Sequence, residues 1–199
     1  MKLKELESFL NHTLIPNVKV RPQTFLNISK QPHYENVWSN IYAFFFNVLE
    51  EHNLGDLFIE SLVQVICTKK EHFYFNMSSF DIQTEYRTKK NGRIDILLCN
   101  SEDAIIIENK VNHKLSNDLI DYWDSVLQKN KQGIILSLKE ISENTINSPN
   151  FINITHLEFM QCVAKNLSSY FSNANDKYII FLKDFYNKTY LGLILPIKS

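Results

Sequence analysis

Residues 92–111 read Gly-Arg-Ile-Asp-Ile-Leu-Leu-Cys-Asn-Ser-Glu-Asp-Ala-Ile-Ile-Ile-Glu-Asn-Lys-Val, and this stretch decides the fold. It contains two short apolar runs, 93–99 and 104–111, joined by the polar link 100–103. Runs of this length, rich in β-branched residues and apolar on both faces, are strands buried between two layers. The short link makes them a hairpin. Upstream, 72–77 (HFYFNM) and 80–87 (FDIQTEYR) predict two more strands; downstream, QGIILSL at 132–138 predicts a buried one. Between them Leu115, Leu119, Tyr122, Trp123 and Val126 predict a helix over 115–128. A right-handed helical crossover makes strands 104–111 and 132–138 parallel.

Helical spacing surrounds this centre. The segment 33–51 places Val37, Ile41, Phe44, Phe45 and Val48 on one side. Gly55 suits its stop and Asp56 an N-cap for the next helix, 57–68. Thr155 and Glu158 form a capping box that opens a helix to 168. A last helix over 175–191 carries Tyr178, Ile179, Phe181, Leu182, Phe185 and Tyr186. Residues 139–151 read as a polar loop, 2–14 as an amphipathic helix, and 15–32, with three prolines, as an irregular connector. The expected architecture is α/β: a central mixed sheet with helices on both faces. The expectation is one domain over 1–199, with an N-terminal appendage (1–32), a motif-bearing core (33–138) and C-terminal helices (139–199).

Composition narrows the chemistry. The chain has 199 residues, 44% hydrophobic and 22% charged, so a sizeable core is expected. With 21 Lys and Arg against 22 Asp and Glu, a wholesale basic coat is excluded; any nucleic-acid surface is local. Only four glycines occur and none are clustered, which excludes a dinucleotide fingerprint, a P-loop and a nucleophile elbow. Cys67, Cys99 and Cys162 make no metal or redox motif and read as core or near-core thiols in a reducing compartment. No run reaches a membrane span and the N-terminus lacks a signal-peptide core, so the protein reads as soluble and cytoplasmic. The richness in Asn, Ile, Lys, Phe and Tyr hints at an AT-rich bacterial genome.

Two positions break the rule for buried strands. Asp95 lies inside an apolar run, where an unpartnered carboxylate costs several kcal/mol. Glu108 and Lys110 close the next run and, two apart, share a face. One hairpin register brings Asp95 beside them. Two adjacent carboxylates repel unless a cation sits between them, and oxygen ligands without His or Cys suit Mg²⁺ or Mn²⁺. The plainer alternative is a solvated strand end or an ion pair, with Asp95 satisfied by Arg93 or Lys110.

The stretch GRIDILLCNSEDAIIIENKV resembles the core of the PD-(D/E)XK nuclease superfamily, in the bacterial branch that reads G-R-I-D and then I-I-E-N-K. Glu35-Asn-Val-Trp-Ser39-Asn40-Ile-Tyr-Ala43 and Leu54-Gly-Asp56 match that branch's upstream helices, so the likeness covers about 33–128. It implies a restriction-endonuclease-like α/β/α core and a Mg²⁺-dependent (or Mn²⁺-dependent) nuclease, DNA favoured. In that reading Asp95, Glu108 and the carbonyl of Asn109 hold metal. Glu35 is the helical acid, with Glu60 as runner-up. Lys110 positions or deprotonates the attacking water. Supporting or nucleic-acid-binding places go to Arg93, Glu85, Arg87, Ser39, Lys114 and Tyr122. Lys69, Lys70, Arg87, Lys89, Lys90, Arg93, Lys110, His113 and Lys114 are the densest basic clustering, compatible with a phosphate backbone or with a solvated face. The sequence departs from the branch at Asp118, where a Gln is usual, and at Trp38, where a His is usual. Members occur in restriction, repair and anti-phage systems, among which the residues do not choose. Specificity would come from a partner protein, a homodimer or the helices outside the motif. A non-catalytic nucleic-acid-binding or assembly subunit on the same scaffold is the competing reading.

Overall fold

The computed structural model describes residues 23–31, 34–111 and 115–194. The expected helix over 2–14, most of the connector 15–32, and His113 and Lys114 lie outside them. Five strands form one sheet in the order β1-β2-β3-β4-β5: Asp81–Arg87, Arg93–Cys99, Asp103–Lys110, Asn130–Ser137 and Phe151–Thr155. β1-β2 and β2-β3 are antiparallel, β3-β4 and β4-β5 parallel, so the sheet is mixed, with the expected parallel crossover. The helices are α1 (Phe25–Ile28), α2 (Glu35–Phe46), α3 (Leu57–Lys69), α4 (Leu119–Ser125), α5 (His156–Asn166) and α6 (Asp176–Ile194). The sheet packs α2, α3, α5 and α6 against one face, through Ile96, Leu98, Ile105 and Ile107. α4 covers the other face, through Leu97, Ala104, Ile106 and Ile135. The domain is a three-layer α/β/α sandwich.

Several expectations shift. The 72–77 segment pairs with no strand, although Phe73 and Phe75 are buried and Tyr74 exposed in alternation. Side chains replace the ladder: Asn130 Nδ2 donates to the Tyr74 carbonyl at 2.6 Å and Asp103 Oδ2 accepts the Asn76 N–H at 2.8 Å. The α2 stripe rotates by one position, burying Trp38, Tyr42, Phe45 and Phe46 and leaving Val37, Ile41 and Phe44 half-buried. Larger rings gain more by burial. α2 stops at Phe46, so Val48 lies beyond it. Asp56 stands at the N-cap of α3, but its carboxylate accepts from Tyr170 Oη at 2.8 Å instead of capping. α4 is shorter than 115–128: the Asp118 carboxylate caps the Asp121 N–H at 3.0 Å and so sets the start. The loop 139–151 contains the 3₁₀ turn Glu143–Thr145 and runs into an unforeseen edge strand, β5. Cys99 is buried and Cys162 half-buried, but Cys67 is exposed. The capping box at α5 forms as read. No helix among the described residues is long and apolar enough to cross a membrane.

Candidate active site

β2 and β3 pair from Cys99↔Ala104 to Ile96↔Ile107, and one step further brings Asp95 opposite Glu108. The backbone ladder ends there. The amide of Asn109 is instead accepted by Asp95 Oδ2 at 2.8 Å. On the side of β3 that faces α2, Asn109 Nδ2 donates to the Glu35 carbonyl (3.1 Å) and to Ser39 Oγ (3.0 Å). Ser39 Oγ in turn donates to the Glu35 carbonyl at 3.0 Å. These bonds lock the first turn of α2 onto the end of β3. They bring Glu35 to the end of β3, where its Oε1 accepts the Val111 N–H at 3.0 Å.

Lys110 stands between two acids. Its Nζ lies 2.7 Å from Glu108 Oε1 and 3.6 Å from Glu35 Oε2. Glu108 is 1% exposed, and its other oxygen, Oε2, is buried with no hydrogen-bond partner. Burial lifts the Glu108 carboxyl to about 8, with the negative charge of Asp95 adding to the rise and Lys110 opposing it. Burial raises Asp95 too, against the Asn109 N–H and Lys110, which favour its charged form. Burial works against the charge on Lys110, but Glu108, Glu35 and Asp95 together hold it above the ordinary lysine range.

Glu35, Asp95, Glu108 and Lys110 line one open cleft of about 410 Å³ with Asn36, Lys90, Arg93, Asp118 and Tyr122. At its mouth Arg93 Nη1 pairs with Glu85 Oε1 at 3.1 Å, and Lys90 pairs with Asp118 at 3.0 Å. Tyr122 is 3% exposed, and its hydroxyl donates to the Arg93 carbonyl at 2.6 Å. It is therefore a wall of the cleft rather than an open stacking platform. Asp121, which sequence reasoning missed, fixes the β1–β2 turn to α4 by accepting from Thr88 Oγ1 and from the Lys90 N–H. Only the i, i+3 spacing from the capping Asp118 hinted at it.

Other candidates fall elsewhere. Glu60 accepts from Tyr170 Oη at 2.6 Å and does not line the cleft. Lys69 pairs with Glu158 at 2.8 Å and Lys70 donates to Gln132, so the basic cluster divides and Lys90, Arg93 and Lys110 are its cleft members. Arg87 is exposed on β1. Asp95 makes no ion pair with Arg93 or Lys110 among the described residues; Arg93 is taken by Glu85.

The donor set fits a divalent cation. One lysine pairs with two carboxylates while the charge of a third, Asp95, also acts on it, one carboxylate oxygen is buried without a partner, and two carboxyls are pushed upward by burial. A hard cation relieves all three conditions. Among the described residues no three His, Cys, Asp or Glu side chains converge to cage one, because Lys110 separates Glu35 from Glu108. Asp95 and Glu108 are thus the protein donors on offer. That suits Mg²⁺, which is held by one or two carboxylates and keeps its remaining positions for water and phosphate.

A family model described as the PD-(D/E)XK nuclease superfamily matches residues 23–187. Comparison with curated proteins finds no match. Among solved structures, the MspJI restriction endonuclease in complex with a 27-mer oligonucleotide is similar at 12% identity, over 81% of this chain and 37% of that one, with a TM-score of 0.28. The chain thus spans well under half of that protein.

Proposed function

The chain belongs to the PD-(D/E)XK nuclease superfamily, and we propose that its cleft hydrolyses phosphodiester bonds of DNA with Mg²⁺ or Mn²⁺. The observation that carries this reading is the partnerless buried Oε2 of Glu108, facing Asp95 across the open end of the β2–β3 ladder. Asp95 and Glu108 would hold the cation, with the Asn109 carbonyl as a further donor. Members of the superfamily generally use divalent metal, which when bound acidifies a water and polarises a phosphodiester oxygen. Without metal, Glu108, Glu35 and Asp95 hold Lys110 above the ordinary lysine range. Its role is to position or deprotonate the attacking water and to steady the charge growing on the phosphoryl oxygens. Glu35 orients that ammonium from α2. Asn109 and Ser39 hold α2 in place for it.

The test is cleavage of plasmid and single-stranded DNA with Mg²⁺ or Mn²⁺ by wild type beside Asp95→Ala and Lys110→Ala. Cutting by wild type that falls at least a hundredfold in both variants supports the assignment. No cutting of DNA or RNA, with no rise of melting temperature on adding either metal, would replace it with the non-catalytic nucleic-acid-binding reading.

A further inference from the structure

Arg93 is exposed at the cleft where three elements meet: α4 and the β1–β2 turn fix its backbone, and β1 engages its side chain. From α4, Tyr122 Oη donates to its carbonyl at 2.6 Å. From the β1–β2 turn, Gly92 allows close packing: a Cβ there would meet Thr88 Oγ1 at 2.8 Å and Tyr122 Cε1 at 3.2 Å. From β1, Glu85 Oε1 takes Nη1 at 3.1 Å while also accepting from Asn36 Nδ2 of α2 at 3.0 Å. Glu85 reaches this position with a left-handed backbone, φ +57°, inside a strand. A non-glycine residue in that region is strained, and such conformations cluster where function requires them.

An exposed arginine is normally a mobile chain that loses rotamer freedom when it binds. Here the ion pair with Glu85, itself tied to α2 through Asn36, restricts that freedom. Glu85 engages one edge of the guanidinium, and the fork has five donors in total, so others remain for a ligand. Arg93 lines the same cleft as Asp95 and Glu108.

We propose that Arg93 is the phosphate clamp of the cleft and that Glu85 is its positioning residue, the pair fixing the substrate backbone beside Asp95. This rests on the nuclease reading above. Arginine suits the task because its planar fork binds phosphate through two parallel N–H bonds, which a lysine cannot reproduce.

Glu85 gives a test in which charge and positioning predict opposite signs. Removing a carboxylate from the cleft mouth should tighten DNA binding if only charge matters. If Glu85 positions Arg93, its loss weakens binding. Glu85→Gly is the informative variant, because glycine also relaxes the left-handed backbone and so preserves stability. The experiment measures KM and kcat for Mg²⁺-dependent DNA cleavage, the salt dependence of KM, and the melting temperature. Arg93→Ala should raise KM about tenfold, more than it lowers kcat, and lower the log–log salt slope by about one. Arg93→Lys should restore the slope but not the KM. Glu85→Gly should raise KM several-fold with melting temperature equal or higher, and Glu85→Gln, which can still accept from Arg93, should recover most of the loss. If wild type cuts DNA while Glu85→Gly lowers KM or leaves it unchanged, or Arg93→Ala leaves KM and slope unchanged, the clamp is overturned and the nuclease reading stands. Wild type that neither binds nor cuts nucleic acid overturns both.

Discussion

Glu108→Gln separates a metal site from a structural ion pair, and it does so without any activity assay. An ordinary glutamate titrates near 4.5, whereas burial and Asp95 lift Glu108 to about 8. The folded protein therefore binds this proton more tightly than the unfolded chain does. Between pH 4.5 and about 8 the folded state carries more protons, so stability falls as pH rises through that window. At 1.36 kcal/mol per pH unit the full loss has a ceiling of about 5 kcal/mol. Lys110 reduces what a variant can recover, because removing the charge on Glu108 leaves the lysine with only its longer contact to Glu35. We therefore expect metal-free Glu108→Gln to be about 2 kcal/mol more stable than wild type at pH 9, with the advantage gone by pH 4.5. Urea unfolding in EDTA at pH 4.5, 7 and 9 measures this. Mg²⁺ should reverse the order, stabilising wild type by about 2.7 kcal/mol at a hundredfold excess over Kd and leaving the variant unmoved. A Glu108→Gln protein more than about 1 kcal/mol less stable than wild type at pH 9 in EDTA would refute the reasoning. Glu108 would then be well compensated by Lys110, and the buried oxygen would not be waiting for a cation.

Two further outcomes test the frame around the site. Gly133→Ala should lower stability by about 1–3 kcal/mol in thermal or urea unfolding, because the new Cβ would fall 2.6 Å from the Phe151 ring and push β5 from β4. His156 is fully buried and its imidazole is lowered by burial to about 3, so its contribution is complete above pH 6.5 and is lost as pH falls toward 3. His156→Leu should therefore flatten the acid limb of the stability–pH curve, while lowering its plateau because Tyr42 Oη loses its partner at 2.9 Å.

The legible parts were those written in one local signal. The buried strands at 93–99 and 103–110, the parallel crossover and the α5 capping box each follow from a run of residues and its ends. The acids Asp95 and Glu108 were legible because charge inside an apolar strand violates a strong rule. What failed depended on partners distant in sequence. Whether 72–77 was a strand turned on Asp103 and Asn130, side chains that took its hydrogen bonds. β5 was hidden because Gly133, eighteen positions earlier, is what allows Phe151 to pack there. Between the two helix acids the resemblance puts Glu35 ahead of Glu60, and the fold sets the first on Lys110 and the second on Tyr170.

The site lies where the sheet comes apart, and the carboxylates explain why. In β1–β2 the pairs Thr84↔Ile96 and Tyr86↔Ile94 flank Glu85, which places it opposite Asp95. One step past Ile96↔Ile107, Asp95 lies opposite Glu108. Three acids thus occupy one row across three adjacent strands, an arrangement in which neighbouring like charges weaken a sheet. Each yields differently. Glu85 turns its backbone left-handed and takes Arg93. Asp95 uses its carboxylate, where the backbone ladder has ended, to accept the Asn109 N–H. Glu108 stays buried and takes Lys110, leaving one oxygen partnerless. On the next strand the row continues into Ile135, and the pairing there is regular. A sequence optimised for stability would place apolar residues along this row. The β2–β3 pairing ends at this row, and beyond it Asp95, Glu108 and Lys110 line the cleft with α2, α4 and the β1–β2 turn.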